Sequence, residues 1–357
     1  MDGKKQKLDE PNNLKSVFMN MRSVLTLLLI SLLCTCASAQ ETERKFLVVA
    51  SASIFADMAE VVSGGLVDVE SIVPIGGDPH IYEPTPSNVQ LVSRADLVLV
   101  NGLTFEGWVN ELIENSGTVA ETVTITEGIG AIASEEYANS SDPHAWMTAR
   151  NGMTYVRNIR DALIRLDPAN KEVYEFNAGI YLQQLEDLDK EIFTQIESIP
   201  EAQRVLITSH DAFRYYGRHY GIRVEAALGT STDAQVQTDD VNRLTKTIRE
   251  SGVPAIFVES TINPKLIRQL ATDNKVIIGG ELLADSLDEP AKEGGTYIGM
   301  LTFNTNTIVA ALKGQVEDAG IGMGPSGNQQ AVLLAIILAV MAGAFFFMVS
   351  RINQGVA

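Results

Sequence analysis

The chain has 357 residues, with 45 Asp and Glu against 27 Lys and Arg and a formal net charge of -18. That length suits two domains of ordinary size plus tails, and the acidic balance excludes a nucleic-acid binder, which needs a basic surface to neutralise phosphates. Both cysteines, Cys34 and Cys36, lie in an amino-terminal apolar stretch, so the rest of the chain offers no thiolate, and any transition-metal site there must use imidazole and carboxylate.

Residues 1–39 read as a secretory signal peptide: Lys15 and Arg22 precede the apolar run Val24 to Leu33, and Ala37-Ser38-Ala39 has the small-x-small pattern of a cleavage site. A lipid on Cys34 or Cys36 is the competing reading, which Leu33 and Thr35 disfavour. From Phe46 onward strands and helices take turns. Phe46 to Ala50 is a strand, Ile54 to Ser63 a helix, Val67 to Val73 a strand, and Pro86 to Arg94 a helix capped by Thr85. Leu97 to Asn101 is a strand, Phe105 to Ser116 a helix, Thr122 to Thr126 a strand, and Asn151 to Leu166 an amphipathic helix. This alternation predicts an α/β lobe with a parallel sheet over residues 43–166.

Residues 167–200 are predicted as one uninterrupted helix. Asp167 is the expected N-cap, Pro168 suits the first turn and Pro200 ends the run. Val173, Phe176, Ile180, Leu185, Leu188, Ile192, Ile196 and Ile199 form the expected apolar stripe. A helix that long exceeds the needs of one domain core, so it is expected to tie two lobes together. Over residues 201–315 the plan repeats: strands at Arg204 to Ser209, Arg223 to Leu228, Ala255 to Glu259 and Lys275 to Ile278, with helices at Ala212 to Tyr220, Asp239 to Ser251, Pro264 to Asp273 and Thr296 to Lys313. Residues 316–330, with four glycines and a proline from Ala319 to Gln330, read as a flexible tether. Residues 331–350 (AVLLAIILAVMAGAFFFMVS) carry no charge and match the hydrocarbon thickness of a bilayer, which predicts a transmembrane anchor. Arg351 beyond it, with Glu317 and Asp318 before it, places the body outside the cytoplasm.

Three of the four histidines sit in loops just after predicted strands: His80 in GGDPH, His144 in SDPHAW and His210 in LITSHDAF. Open parallel sheets bind ligands beyond the carboxyl ends of their strands. One such histidine alone is most simply a hydrogen-bonded loop residue, but three together point to a metal. If Asp211 to Tyr220 is helical, about 100° per residue turns His219 half a revolution from His210, so His219 is read as a surface or packing residue. Three imidazoles suit manganese, iron or zinc, and a carboxylate would complete the set. Asp285, Glu259 and Glu281 all follow or end strands and all remain candidates. Asp78 and Asp142 could orient the imidazoles or simply make Asp-Pro turns. Gly76-Gly77 and Gly279-Gly280 read as tight turns beside the cleft, and Trp108 and Trp146 as packing residues.

The stretches IVPIGGDPHIYEPTPSNVQLVSRADLVLVNGLTFEGW, DPHAWM, VLITSHDAFRYYGRHYG, AIFVESTINPK, GGELLADSL and GGTYIGML resemble, in that order, the landmarks of the metal-binding solute receptors of ATP-driven manganese and zinc importers (cluster A-I, the zinc-uptake type). The resemblance covers Phe46 to about Lys313. It implies two parallel-sheet α/β lobes joined by one long rigid helix, with the metal in the cleft between them. It also implies the metal ligands His80, His144, His210 and Asp285, a manganese or zinc cargo with iron as a further member of the set, a membrane permease as partner, and a monomer. Some manganese-specific members have glutamate at the third ligand place, where this chain has His210. Many zinc members carry a histidine-rich loop between the first two ligands, which Ala138 to Ser141 lacks, and that absence leans the expectation towards manganese. The implied role is a binding protein and not an enzyme. A metallohydrolase using the same histidines with Glu259 or Asp285 as base, and a surface adhesin of the same family, are the alternatives.

Overall fold

The computed structural model describes residues 44–133, 140–232 and 236–316. The predicted signal peptide, the membrane span and the tether beyond residue 316 lie outside them. Among the described residues no helix is long and apolar enough to cross a membrane.

The first lobe is a parallel sheet of β1 (Leu47–Ala50), β2 (Asp68–Ser71), β3 (Leu97–Val100) and β4 (Glu121–Thr124) in the order β2-β1-β3-β4. Val48 pairs with Val69 on one side and Leu97 on the other. The two central strands are apolar throughout because both of their faces are covered. Val48, Ala50, Leu97 and Leu99 enter the main core, while Leu47, Val49, Val98 and Val100 enter a second cluster with Leu91, Val92 and Leu112. That division is the two-residue period of a strand made visible. The covering helices are α1 (Ser53–Ser63), α2 (Pro86–Ser93) and α3 (Val109–Ser116). Thr85 caps α2, as the sequence suggested, and Asn88 completes a capping box with it.

Helix α4 (Ala149–Leu166) starts on a Thr148 cap whose hydroxyl accepts from the Asn151 amide at 3.1 Å. A short 3-10 turn at Pro168–Asn170 then separates it from α5 (Lys171–Glu197). The long helix is therefore real but shorter than predicted. Asp167 does not cap it; its carboxylate accepts from the Asn170 side-chain NH2 and the Tyr174 hydroxyl instead. The predicted stripe also needs correction in its first half. Val173, Phe176 and Ile180 are exposed, and the buried positions are Tyr174, Ala178, Tyr181, Leu185, Leu188, Ile192 and Ile196. A tyrosine can be buried here because its hydroxyl has a partner: Asp167 for Tyr174 and Asp57 for Tyr181. A hydropathy count passes over such residues.

The second lobe is built from β5 (Val205–Thr208) paired with β6 (Arg223–Ala226), and β7 (Ala255–Glu259) paired with β8 (Ile277–Leu282), both pairs parallel. Its helices are α6 (Arg214–Tyr220), α7 (Thr238–Ser251), α8 (Lys265–Asn274) and α9 (Tyr297–Leu312). Gly279 and Gly280 lie inside β8, not in a turn as expected, and the β7 register slips opposite them. A Cβ on Gly279 would meet Ala311, Phe257 and Ala255, so the glycine lets α9 pack directly on the strand.

One core runs through both lobes and the long helix. Tyr297, at the start of α9, donates its hydroxyl to the carbonyls of Trp146 and Thr148 at 2.6 and 3.0 Å, and a Cβ on Gly152 would run into its ring. The Tyr297 amide in turn donates to Asp57 of α1 at 2.8 Å. Burial pushes the Asp57 carboxyl up to about 6, with the Glu60 charge adding to it and the bonds from Tyr297 and Tyr181 holding it down. A carboxyl raised in the folded state makes folding less favourable as pH climbs from the unfolded value of 3.8 through about 6. Asp57→Asn keeps an oxygen for the Tyr297 amide and removes that charge. It is expected to be more stable than the parent at pH 8 by about 1 to 2 kcal/mol, with the gain vanishing near pH 4. Thermal melts at the two pH values decide it, and a pH-independent difference would refute the assignment.

Candidate metal centre

Four loops, two from each lobe, meet at the seam. The loop after β2 carries His80. Gly76, at φ 78°, turns it, and Asp78 fastens it: one carboxylate oxygen accepts the His80 amide at 2.9 Å and the other accepts the Thr232 hydroxyl of the second lobe at 2.7 Å. Trp108 adds a bond from its indole to the Pro79 carbonyl at 2.8 Å, and the Gly76 amide reaches the Ser286 hydroxyl across the seam at 2.7 Å. The loop after β4 carries His144. Here Asp142 Oδ1 accepts both the His144 amide at 3.0 Å and its ring Nδ1 at 2.8 Å, while Asn101 donates to the Pro143 carbonyl and Tyr215 to the Asp142 carbonyl.

His210 stands just past β5 and Asp285 just past β8. The Asp285 loop is held by paired bonds between Leu283 and the Asn304 amide, and by the Trp146 indole, which donates to the Ala284 carbonyl at 2.9 Å. The His210 amide and the Ser209 amide both donate to Glu259 Oε1, at 3.0 and 2.8 Å, and His210 Nδ1 lies 2.5 Å from Glu259 Oε2.

With these restraints His80, His144, His210 and Asp285 each offer one ligand-type atom, and all four atoms lie within 4.8 Å of one another. The Nε2 of His144 is 3.1 Å from that of His80 and 3.3 Å from that of His210. Asp285 oxygens are 3.7, 3.5 and 3.4 Å from the Nε2 atoms of His80, His144 and His210. Four donors about 2.0–2.1 Å from one tetrahedral ion stand about 3.3–3.4 Å apart, so the spacing fits a cation at the centre. Asp285 Oδ1 is buried and has no hydrogen-bond partner, the mark of an acceptor reserved for something else. His144 and His210 are fully buried and Asp285 is 1 % exposed. Phe105 closes one wall, edge-on to His80 with ring centroids 5.0 Å apart. A cavity of about 610 Å³ adjoins the centre between Asp78 and Ile81 of the first lobe and Ser209, Thr232 and Thr261 of the second.

The electrostatics match the geometry. Burial alone would lower the His144 pKa, but the bond to Asp142 and the nearby Asp285 outweigh it and raise the imidazole to about 9. Burial likewise opposes charge on His210, yet Glu259 and Asp285 lift it well above the usual histidine range. Asp285 is held well below the ordinary carboxylate value, burial notwithstanding, by His210, His144 and His80. The pocket stabilises positive charge, either protons or a metal ion.

Of the three carboxylates the sequence left open, only Asp285 enters the group. Glu281 sits exposed on β8, and Glu259 stands behind His210. His219 is elsewhere, bonded through Nε2 to Asp189 at 2.9 Å. The premise of the half-turn argument fails, since the helix starts at Arg214 and His210 precedes it in a loop, although the two rings are still apart. Asp142 does grip an imidazole, while Asp78 takes the His80 amide and the Thr232 hydroxyl and not the His80 ring. Sequence reasoning missed Trp146, Thr232 and Tyr297 as ties across the seam, and no local spacing marks them.

Comparison with known proteins agrees with this architecture. A family model described as zinc-uptake complex component A, periplasmic, matches residues 48–311. The manganese-binding lipoprotein MntA of Halalkalibacterium halodurans is 38% identical over 265 residues, covering 74% of this chain and 88% of that protein. The manganese ABC transporter substrate-binding lipoprotein PsaA of Streptococcus anginosus is 34% identical over 307 residues, 82% of this chain and 99% of the relative. Among solved structures, the periplasmic zinc binding protein TroA from Treponema pallidum superposes with a TM-score of 0.72 at 34% identity, covering 75% of this chain and 99% of its own. The Mn-bound periplasmic metal binding protein of Candidatus Liberibacter asiaticus does so with 0.69 at 30% identity, covering 75% and 100%. A match that runs from β1 into the last helix takes in every loop that reaches the seam, and this chain belongs to the zinc-uptake complex component A family.

Proposed function

We propose that this chain is the extracytoplasmic receptor of an ATP-driven importer, capturing a divalent transition metal, manganese or zinc, and handing it to a membrane permease. His80, His144 and His210 through Nε2 and Asp285 through its carboxylate are the proposed ligands. The observation that carries this reading is the convergence of those four atoms within 4.8 Å in a buried seam. Relatives named for manganese and for zinc support the same cargo class. By the Irving–Williams order three imidazoles and a carboxylate hold zinc more tightly than manganese, so which ion is carried in the cell depends on supply. Four protein ligands in a closed site suit capture and delivery, not catalysis.

On this proposal the lobes of residues 43–166 and 201–315 act as one monomeric body about the linker of residues 167–200. Export by the signal peptide of residues 1–39, and a tether and span over residues 316–350, would keep that body close to its permease and raise its effective concentration there.

The test is elemental analysis of protein isolated without chelator, followed by Zn2+ and Mn2+ titration of His80→Ala, His144→Ala, His210→Ala and His219→Ala. The parent should carry close to one equivalent of metal. Each of the first three variants should bind at least tenfold more weakly, and His219→Ala should match the parent. Equal losses in all four would overturn the assignment. Truncation before Ala331 should release the protein from membranes with its metal binding intact.

A further inference from the structure

The three imidazoles share one device: the backbone amide of each donates to a carboxylate, Asp78 for His80, Asp142 for His144 and Glu259 for His210. In the first two pairs the acid lies two residues before the histidine. For His210 it comes from 49 residues away, at the end of β7. Glu259 is 1 % exposed and its two oxygens divide the work. Oε1 accepts the amides of Ser209 and His210, and Oε2 lies 2.5 Å from His210 Nδ1, a close pair in which neither atom has any other partner among the described residues.

The placement matters because β5-β6 and β7-β8 are separate hydrogen-bonded pairs. Glu259 joins the end of β5 to the end of β7, next to the strand that leads to Asp285. With Nδ1 carrying the hydrogen, the lone pair of Nε2 faces the other three ligand atoms.

We propose that Glu259 is a positioning residue for metal capture: it fixes both the place of His210 and the tautomer that leaves Nε2 free to bind the ion. The inference rests on the ligand assignment above. It makes a specific prediction about Glu259→Gln, because glutamine has the shape of glutamate but one acceptor oxygen in place of two. If the carboxamide oxygen of that variant accepts the two backbone amides, its NH2 faces Nδ1 and drives the ring hydrogen onto Nε2, where the metal should sit. If the carboxamide flips, the NH2 faces two backbone N–H groups. Either way a donor meets a donor. In Glu259→Ala, by contrast, the vacated space can admit water, which accepts from Nδ1.

The experiment is competitive Zn2+ titration of Glu259→Gln, Glu259→Ala and, as control, His210→Ala, with circular dichroism to check folding. Proton NMR of the Zn2+-loaded parent accompanies it. Glu259→Gln is expected to lose about 10- to 100-fold in Zn2+ affinity, and at least as much as Glu259→Ala. A role in packing alone would reverse that order, because glutamine preserves the volume. The loaded parent should display a slowly exchanging downfield ring N–H resonance that is absent in His210→Ala. Parent-like affinity in Glu259→Gln, or no such resonance in the parent, overturns the proposal. The second criterion holds even if a variant fails to fold. If His210→Ala itself binds Zn2+ like the parent, the ligand assignment has failed instead.

Discussion

Asp285→Ala should abolish high-affinity metal binding, with a loss of at least about 100-fold, or about 2.8 kcal/mol. Asp285 is the only anionic member of the group, and its Oδ1 has no hydrogen-bond partner in a setting where buried acceptors normally have one. The metal-free protein should suffer as well. Asp285 is ionised far below the ordinary carboxylate range in the folded state, so it contributes stability that is present above the unfolded carboxylate pKa and lost as pH falls through the lower folded value. The isosteric Asp285→Asn variant should therefore be less stable than the parent at neutral pH, with the gap closing in strong acid. Calorimetry with and without Zn2+ measures both effects. A variant that still gains thermal stability from stoichiometric Zn2+ as the parent does would remove Asp285 from the site.

Trp146→Ala should be the most damaging single change to stability. The side chain is fully buried and packs against Phe105, Phe55 and His144 with ring centroids 4.7, 5.5 and 5.3 Å apart. Deleting it costs about 3–5 kcal/mol, a large share of the roughly 5–15 kcal/mol that typically holds a domain together, and the melting temperature should fall by roughly 10 °C. Its second effect is on the site. Trp146 stands two residues after His144 and its indole N–H bonds to the carbonyl of Ala284, the neighbour of Asp285. It therefore ties together the His144 and Asp285 loops, which come from opposite lobes. Trp146→Phe separates the two roles: most of the packing stays, the cross-seam bond goes, and Zn2+ affinity should drop with only a modest change in melting temperature. Affinity that simply tracks stability across both variants would deny Trp146 the second role.

The alternation of strands and helices was legible because burial on two faces requires continuous apolar runs such as LVVA and LVLV, while helices leave a polar face at their own period. The centre was legible for a related reason. Chains with few histidines that place three of them in loops that follow strands invite a metal reading, and the Asp-Pro-His turns are local devices that a short window can see. The first half of α5 was misread where Tyr174, Ala178 and Tyr181 are buried in place of the more apolar Val173, Phe176 and Ile180. A hydroxyl with a carboxylate partner is at home in a core, but those partners, Asp167 ahead of the helix and Asp57 on α1, do not appear in the helix's own apolar pattern.

The chain by itself determined the α/β class, the division about a long helix, and the three loop histidines, since each depends on neighbours a few residues apart. The residue pattern left the acids open; the resemblance pointed to Asp285, and the physical ground for that choice came only with the tertiary structure. Glu259 ends β7, Glu281 lies in β8 and Asp285 stands just past it, and of these one backs an imidazole, one faces solvent and one joins the histidines. The physical reason is that a carboxylate's role is set by which donors surround it, and here those donors come from strands and loops tens to hundreds of residues away.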